Sequence, residues 1–303
     1  MLQTVTGELD PRTVTGPVLA HEHLVVDLRT DTDSVGFLDA AQVQPELADV
    51  ARQTGLGLVV ELSCRGMGRD VVALRRISEA TGVPVVAGTG YYYERFHPVG
   101  EISSVESVEQ RILAEITEGV DDTGIRTGVI GEVGSHGDAP SPAEEISLRA
   151  SARASARTGT PLATHAHLGR GGLGQLELLL SEGVDPARVA IGHQDLWAGS
   201  DQHVSIAREG AYVAFDTIGK ASYESDEARL SRIITLMDAG YADRVLLSND
   251  ISRFGYLTAN GAHGYGHVLQ AFKAQLRSRG VDADTLDLLY RRNPLRWLSG
   301  VEV

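Results

Sequence analysis

The chain has 303 residues, 42% of them hydrophobic and 22% charged, and carries a formal net charge of −14. That acidic balance excludes nonspecific nucleic-acid binding and docking on an anionic membrane, both of which need a basic surface. A single cysteine, Cys64, excludes an intrachain disulfide, and no apolar run approaches the ~20 residues of a membrane span.

The opening MLQTVTGELD lacks both the basic and the apolar stretch of a signal peptide, so a cytoplasmic protein is expected. Short apolar runs at 18–26, 56–62, 83–88, 127–133, 161–165, 189–192, 211–215 and 245–247 read as eight strands. Amphipathic segments between them, at 44–54, 70–81, 105–120, 141–158, 175–181 and 226–239, read as helices. The fourth of these has clear punctuation. Ser141 is an N-cap, Pro142 takes the first helical position, Glu144 and Glu145 sit in the first turn, and Gly159 stops the helix. Strand–helix alternation without a composition break predicts a parallel α/β fold. Eight such units predict a closed (β/α)₈ barrel spanning 1–303 as a single domain, with an open doubly wound sheet as the rival. After the last strand, GYLTANGAHGYG at 255–266 is a Gly-rich loop of the length that usually serves function.

Strand one, PVLAHEHLVVD, carries His21 and His23 two residues apart, on one face of the strand. Unpartnered buried imidazoles are costly. The pair therefore either bonds backbone or water, or shares a metal. His165 lies at the C-terminal end of strand five (TPLATHAH), His193 at that of strand six (RVAIGH) and Asp250 at that of strand eight (RVLLSND). Barrel enzymes place their chemistry at those ends. Four imidazoles and a carboxylate, with no thiolate, suit Zn²⁺ or Mn²⁺. One catalytic ion usually takes three protein ligands, so four histidines suggest two ions ~3.5–4 Å apart, which need a bridging carboxylate. Glu132 in TGVIGEVGS on strand four is the candidate, as bridge or as an outer partner of an imidazole, with the bridge preferred. By contrast, GRGGLG at 169–174 mimics a dinucleotide loop, but the strand before it ends in His165 and a glycine pattern alone is weak.

The motifs TVTGPVLAHEHL, GVIGEVGS, ATHAHLGRGGLGQLELLLSEGVDPARVAIGHQDL, VAFDTIGK, RVLLSNDISR and NPLRWLS, in this order from about residue 12 to 299, resemble the phosphotriesterase family of the amidohydrolase superfamily. The resemblance implies a (β/α)₈ barrel with a binuclear centre, zinc first, with manganese or cobalt as alternatives. His21 and His23 match the pair on the more buried ion, and His165 and His193 match the ligands of the more exposed one. Asp250 matches the carboxylate that binds the buried ion and accepts a proton from the bridging hydroxide. Many members bridge the ions with a carboxylated lysine in a GxIK motif. Here that position is Gly131, followed by Glu132, which is similar to the subgroup of phosphotriesterase homology proteins, where glutamate bridges directly. That departure weakens any expectation of efficient organophosphate hydrolysis. The resemblance also implies a homodimer.

Lys220 and Arg253 follow strands seven and eight, where barrels often hold a phosphate or carboxylate, so they are expected to bind an anionic substrate group. In GYYYERFHP after strand three, Tyr91 is nearest the strand end and is expected to line the pocket, with Tyr92 and Tyr93 packing against helices. The leading functional expectation is a metal-dependent hydrolase of a small carboxylic ester or lactone, phosphorylated or not. Phosphotriester or phosphodiester hydrolysis is the alternative, amide hydrolysis stays open, and a noncatalytic metal-bound binding protein is the reading of another class.

Overall fold

The computed structural model describes residues 1–303. Eight parallel strands run in sheet order β1 (Val18–Glu22), β2 (Leu58–Glu61), β3 (Val85–Thr89), β4 (Val129–Ser135), β5 (Leu162–Ala166), β6 (Val189–Ile191), β7 (Tyr212–Phe215) and β8 (Val245–Leu247). Helices α1 (Ala40–Thr54), α2 (Val71–Thr81), α3 (Val105–Thr117), α4 (Pro142–Thr158), α5 (Gly172–Ser181), α6 (Ser200–Arg208) and α7 (Asp226–Asp238) follow the first seven strands in turn. After β8 come α8 (Lys273–Ser278), α9 (Ala283–Asp287) and α10 (Asn293–Ser299). The result is a (β/α)₈ barrel. No helix is long and apolar enough to cross a membrane.

Every residue of the eight strands is buried, which explains why each reads as an apolar run rather than an alternation. Two apolar clusters result. The larger fills the layer between strands and helices. The smaller fills the barrel, where Ala20, Ala163, Ala190 and Ala214 face one another with Val60, Leu246 and Trp297. Trp297, from α10, donates Nε1–H to the Arg188 carbonyl just ahead of β6, so the last helix covers the N-terminal end of the barrel. Small residues in the middle of the barrel leave room above them for four imidazoles.

The barrel does not close on a regular ladder. Between β8 and β1 the His21 N–H donates to Ser248 Oγ (3.0 Å) and the Asp250 N–H to the His21 carbonyl (3.2 Å). Glu22 completes the seam. Its Oε1 accepts from Ser248 Oγ, Asn249 N and Asn249 Nδ2, and its Oε2 from Ile251 N, all at 2.8–2.9 Å.

Local rules placed most boundaries. Helix α4 has its Ser141–Glu144 capping box and ends at Gly159 in the left-handed region, φ 70°. Helix α1 begins at Ala40, four residues before the 44–54 expected, because Asp39 and Gln42 form another capping box. That cap contributes about 1 kcal/mol, and Pro45 in the second turn forfeits one amide bond there, a cost that the packing of Val43, Leu47 and Val50 must help offset. Strand β1 stops at Glu22 rather than at residue 26, and Val26–Asp27 instead pairs with Phe37–Leu38 in a small hairpin at the mouth.

Candidate metal centre

Six side chains expected from the sequence converge at the C-terminal end of the barrel. Glu132 stands at their centre. Its Oε1 lies 2.8 Å from both His165 Nδ1 and His193 Nε2 and 3.7 Å from His21 Nε2, and its Oε2 lies 3.7 Å from His23 Nε2. Asp250 Oδ1 lies 3.1 Å from His23 Nε2 and 3.8 Å from His21 Nε2. All six residues are buried.

The backbone that presents them is constrained. His193 and Asp250 adopt left-handed φ values of 56° and 50°, a cost of order 1–3 kcal/mol each that the surrounding bonds must offset. Gly192, before His193, packs against β5, where an added Cβ would sit 2.0 Å from the Thr164 carbonyl oxygen. Gly131, before Glu132, has φ 141°, and a Cβ there would meet the Ala163 carbonyl oxygen at 2.5 Å.

The donor set fits divalent cations. A tetrahedral ion with bonds of about 2.1 Å holds its donors about 3.4 Å apart. The separations above, 2.8–3.8 Å, bracket that value. His21 Nε2 is buried, aimed at this cluster, and has no hydrogen-bond partner. Two sets, His21–His23–Asp250 and His21–Glu132–His193, each bring their donor atoms within 4.8 Å of one another. His165 Nδ1, 2.9 Å from His193 Nε2, extends the second set.

Electrostatics within the protein point the same way. Burial pulls the His21 pKa down, but Asp216 and Glu132 more than offset it and raise it to about 10. His193 is likewise pushed well up, against burial, by Asp216 and Glu132. His165 is lowered, burial outweighing Glu132. Burial opposes the ionisation of Glu132 and Asp250, yet His165 and His21 hold the first well below the usual carboxylate range, and Lys220 and His23 hold the second below it. The cluster is thus built around fixed negative charge that attracts either protons or metal cations to the imidazoles.

A cleft of about 190 Å³ opens over the cluster. Lys220 is buried there and bonds Asp250 Oδ2, with its ammonium 5.0 Å from the Tyr256 ring centre. Arg253 lines the cleft as well. Its Nε is buried without a partner, and its Nη2 is a loose 3.7 Å from Asp33 Oδ2. The structure corrects the expectation for Tyr91. That side chain is wholly buried away from the cleft, its hydroxyl donating to Glu101 Oε2 (2.7 Å) beside Arg111. Tyr92 and Tyr93 line the cleft instead, and the Tyr92 hydroxyl is 3.2 Å from His165 Nδ1. Residue 91 leaves strand β3 facing helix α3, so the next two residues turn to the mouth. Phe96, Leu28 and Leu196 supply an apolar wall, and His167 joins the rim.

Sequence reasoning missed the partners behind the imidazoles. Asp216, after β7, takes His21 Nδ1 at 2.7 Å and His193 Nδ1 at 2.8 Å, and accepts the His193 N–H at 2.9 Å. Ser63, after β2, meets His23 Nδ1 at 3.0 Å and donates to Glu61. The available signal was position: Asp216 lies at the C-terminal end of its strand just as His165 and His193 do.

Comparison with known proteins agrees with this geometry. A model of the phosphotriesterase family matches residues 1–298. The phosphotriesterase homology protein of Escherichia coli (strain K12) is 40% identical over 288 residues, covering 94% of this chain and 98% of that protein. Its crystal structure, complexed with phosphate in the active site, superposes with a TM-score of 0.91 at 39% identity, over 96% of this chain and all of that one. The N-acetyltaurine hydrolase of Rattus norvegicus is 32% identical over 342 residues, covering 98% of this chain and 97% of that one. A mutant of the PTE-like lactonase of Deinococcus radiodurans gives a TM-score of 0.86 at 33% identity, over 99% of this chain and all of that one.

Proposed function

The chain belongs to the phosphotriesterase family, and from that premise we propose that residues 1–303 act as one catalytic domain, a binuclear metal-dependent hydrolase of a small carboxylic ester or lactone. The carrying observation is the convergence of four imidazoles on Glu132 and Asp250 beneath a cleft. In this reading His21, His23 and Asp250 hold one ion, His165 and His193 hold the other, and Glu132 stands between them. Two divalent ions, zinc first with manganese or cobalt as alternatives, would polarise the scissile carbonyl and lower the pKa of water at the site.

The remaining roles fall to the chain itself. Asp250, kept ionised by Lys220, receives the proton released as water attacks. The Tyr92 hydroxyl is a donor within the cleft, and the Phe96–Leu28–Leu196 wall excludes bulk water from one side. Arg253, with its free buried Nε, and Lys220 hold an anionic substituent such as a phosphate or carboxylate. A cytoplasmic homodimer completes the reading.

A phosphoester substrate is the second reading, favoured by the phosphate in the active site of the E. coli relative. N-acetyltaurine joins the test panel because a relative is named for its hydrolysis. The first experiment is elemental analysis of the native chain and of Glu132→Ala, followed by a screen of lactones, phosphorylated lactones, organophosphates and N-acetyltaurine. Two ions per native chain, fewer in the variant, and turnover of a lactone are the expected results. In Arg253→Ala, KM should rise about ten-fold or more for an anionic substrate and stay unchanged for a neutral one. A native chain without metal would shift the function to small-molecule binding.

A further inference from the structure

The two histidine pairs differ in what stands behind them. His23 Nδ1 leans on the Ser63 hydroxyl at 3.0 Å, and Ser63 Oγ in turn donates to Glu61 Oε1, which also accepts the Leu24 N–H at 3.2 Å. That chain touches no other imidazole of the centre. Asp216 does the opposite. Its Oδ2 takes His21 Nδ1 and its Oδ1 takes both Nδ1 and the backbone N–H of His193. In the metal reading above, His21 is grouped with His23 and Asp250, and His193 with His165. One buried carboxylate, 1% exposed, therefore reaches a ligand of each half.

We propose that Asp216 is a positioning residue shared by both halves of the metal centre, whereas Ser63 and Glu61 serve only the half that contains His23. The proposal rests on the metal reading above. The physical argument concerns tautomer and orientation. An imidazole coordinates through the nitrogen that bears no proton, and the hydrogen bond made by the other nitrogen decides which one that is. Asp216 accepts Nδ1–H from His21 and from His193, which makes Nε2 the nitrogen of each that can coordinate, and both Nε2 atoms face Glu132. It also secures the left-handed backbone of His193 through that residue's N–H. Removing Asp216 frees one ligand in each half. Removing the Ser63 hydroxyl frees one ligand in one half, and there a neutral acceptor rather than a carboxylate is lost.

The test is metal affinity of the full chain, not turnover. Stripped protein is titrated with Zn²⁺ against a chromogenic chelator, and bound zinc is counted after dialysis, with circular dichroism to confirm the fold. Native protein should take two equivalents. Ser63→Ala should keep one equivalent at native affinity and weaken the other. Asp216→Ala should weaken both by about 10–100-fold, the range expected for loss of an outer-shell partner. Asp216→Asn retains one carboxamide oxygen and opposes one imidazole N–H with its own NH₂ group. It should weaken a single equivalent, and it carries the test if Asp216→Ala fails to fold. A folded Asp216→Ala that loses one equivalent only, an Asp216→Asn with native affinity at both, or a Ser63→Ala that weakens both alike would each overturn the proposal. Two tight equivalents in the native chain together with any of these results leave the metal reading intact. Fewer than two in the native chain would overturn both.

Discussion

Glu22 sits between His21 and His23 at the end of β1 but points the other way, and Glu22→Gln tests whether it closes the barrel. Burial pushes its pKa up, opposed by the Ile251 and Asn249 N–H groups. The donor count decides its state. Two backbone N–H groups, the Asn249 amide and Ser248 Oγ all point at it, and Ser248 Oγ already accepts the His21 N–H. No acceptor remains for a carboxylic proton, so Glu22 is ionised at neutral pH. Glutamine keeps an oxygen for the donors on Oε1 and turns an NH₂ group against Ile251 N–H. One buried donor is then stranded, at roughly 1–3 kcal/mol, and the remaining bonds lose their charge assistance, for a total of about 3 kcal/mol. An unfolding entropy of about 2.1 cal/mol/K per residue over 303 residues gives ~0.64 kcal/mol/K, so Tm should fall by ~5 °C. Scanning calorimetry at neutral pH measures it. Asp250 lies between the stranded Ile251 and Asn249, so metal retention should fall as well. A Tm within about 1 °C of native would refute the argument that this carboxylate carries the seam.

Two further outcomes follow from the same structure. Glu115 is buried and accepts bonds from Arg65, Arg69 and Thr89 at 2.6–3.0 Å; burial raises its pKa, but Arg69, Thr89 and Arg65 bring it below the usual 4.5. The unfolded chain therefore takes up this proton first as pH falls. The Glu115 contribution is complete above pH 4.5 and is lost below it, toward the depressed folded value. Glu115→Gln should be less stable at pH 7 and lose part of the acid slope, measured as the urea midpoint across that window; an identical slope would contradict the assignment. Tyr91→Phe should leave kcat/KM unchanged and cost about 1 kcal/mol of stability, whereas Tyr92→Phe should lower kcat/KM, and the reverse pattern would return Tyr91 to the cleft.

The fold was legible because strands buried on both faces write themselves as short apolar runs, and eight such runs separated by helices have few other solutions. The six central side chains were legible because histidine and acid at strand ends are chemically conspicuous. Tyr91 was misplaced because proximity to a strand end does not say which way a side chain turns once the strand is over. The β8–β1 closure escaped notice because it runs through side chains, Glu22 and Ser248, rather than through a ladder with a hydrophobic signature. Asp216, Ser63 and Glu61 escaped for a related reason. A carboxylate or hydroxyl behind an imidazole is adjacent to it in space but distant in sequence, 195 residues apart for Asp216 and His21.

Those hidden acids make sense of the site's charge. Glu132, Asp250, Asp216, Glu22 and Glu61 are all buried around the barrel mouth, and Lys220 is the buried ammonium among them. Carboxylates outnumber the one ammonium in a region where unpaired charge is expensive. Imidazoles can cover part of the excess by holding protons, which is why the His21 and His193 pKa values rise against their burial. Divalent cations would cover it while leaving the imidazoles neutral and coordinating. The balance therefore favours metal cations at the imidazoles on grounds independent of donor spacing. It also predicts that proton release, read by calorimetry in buffers of different ionisation heat, will accompany metal binding.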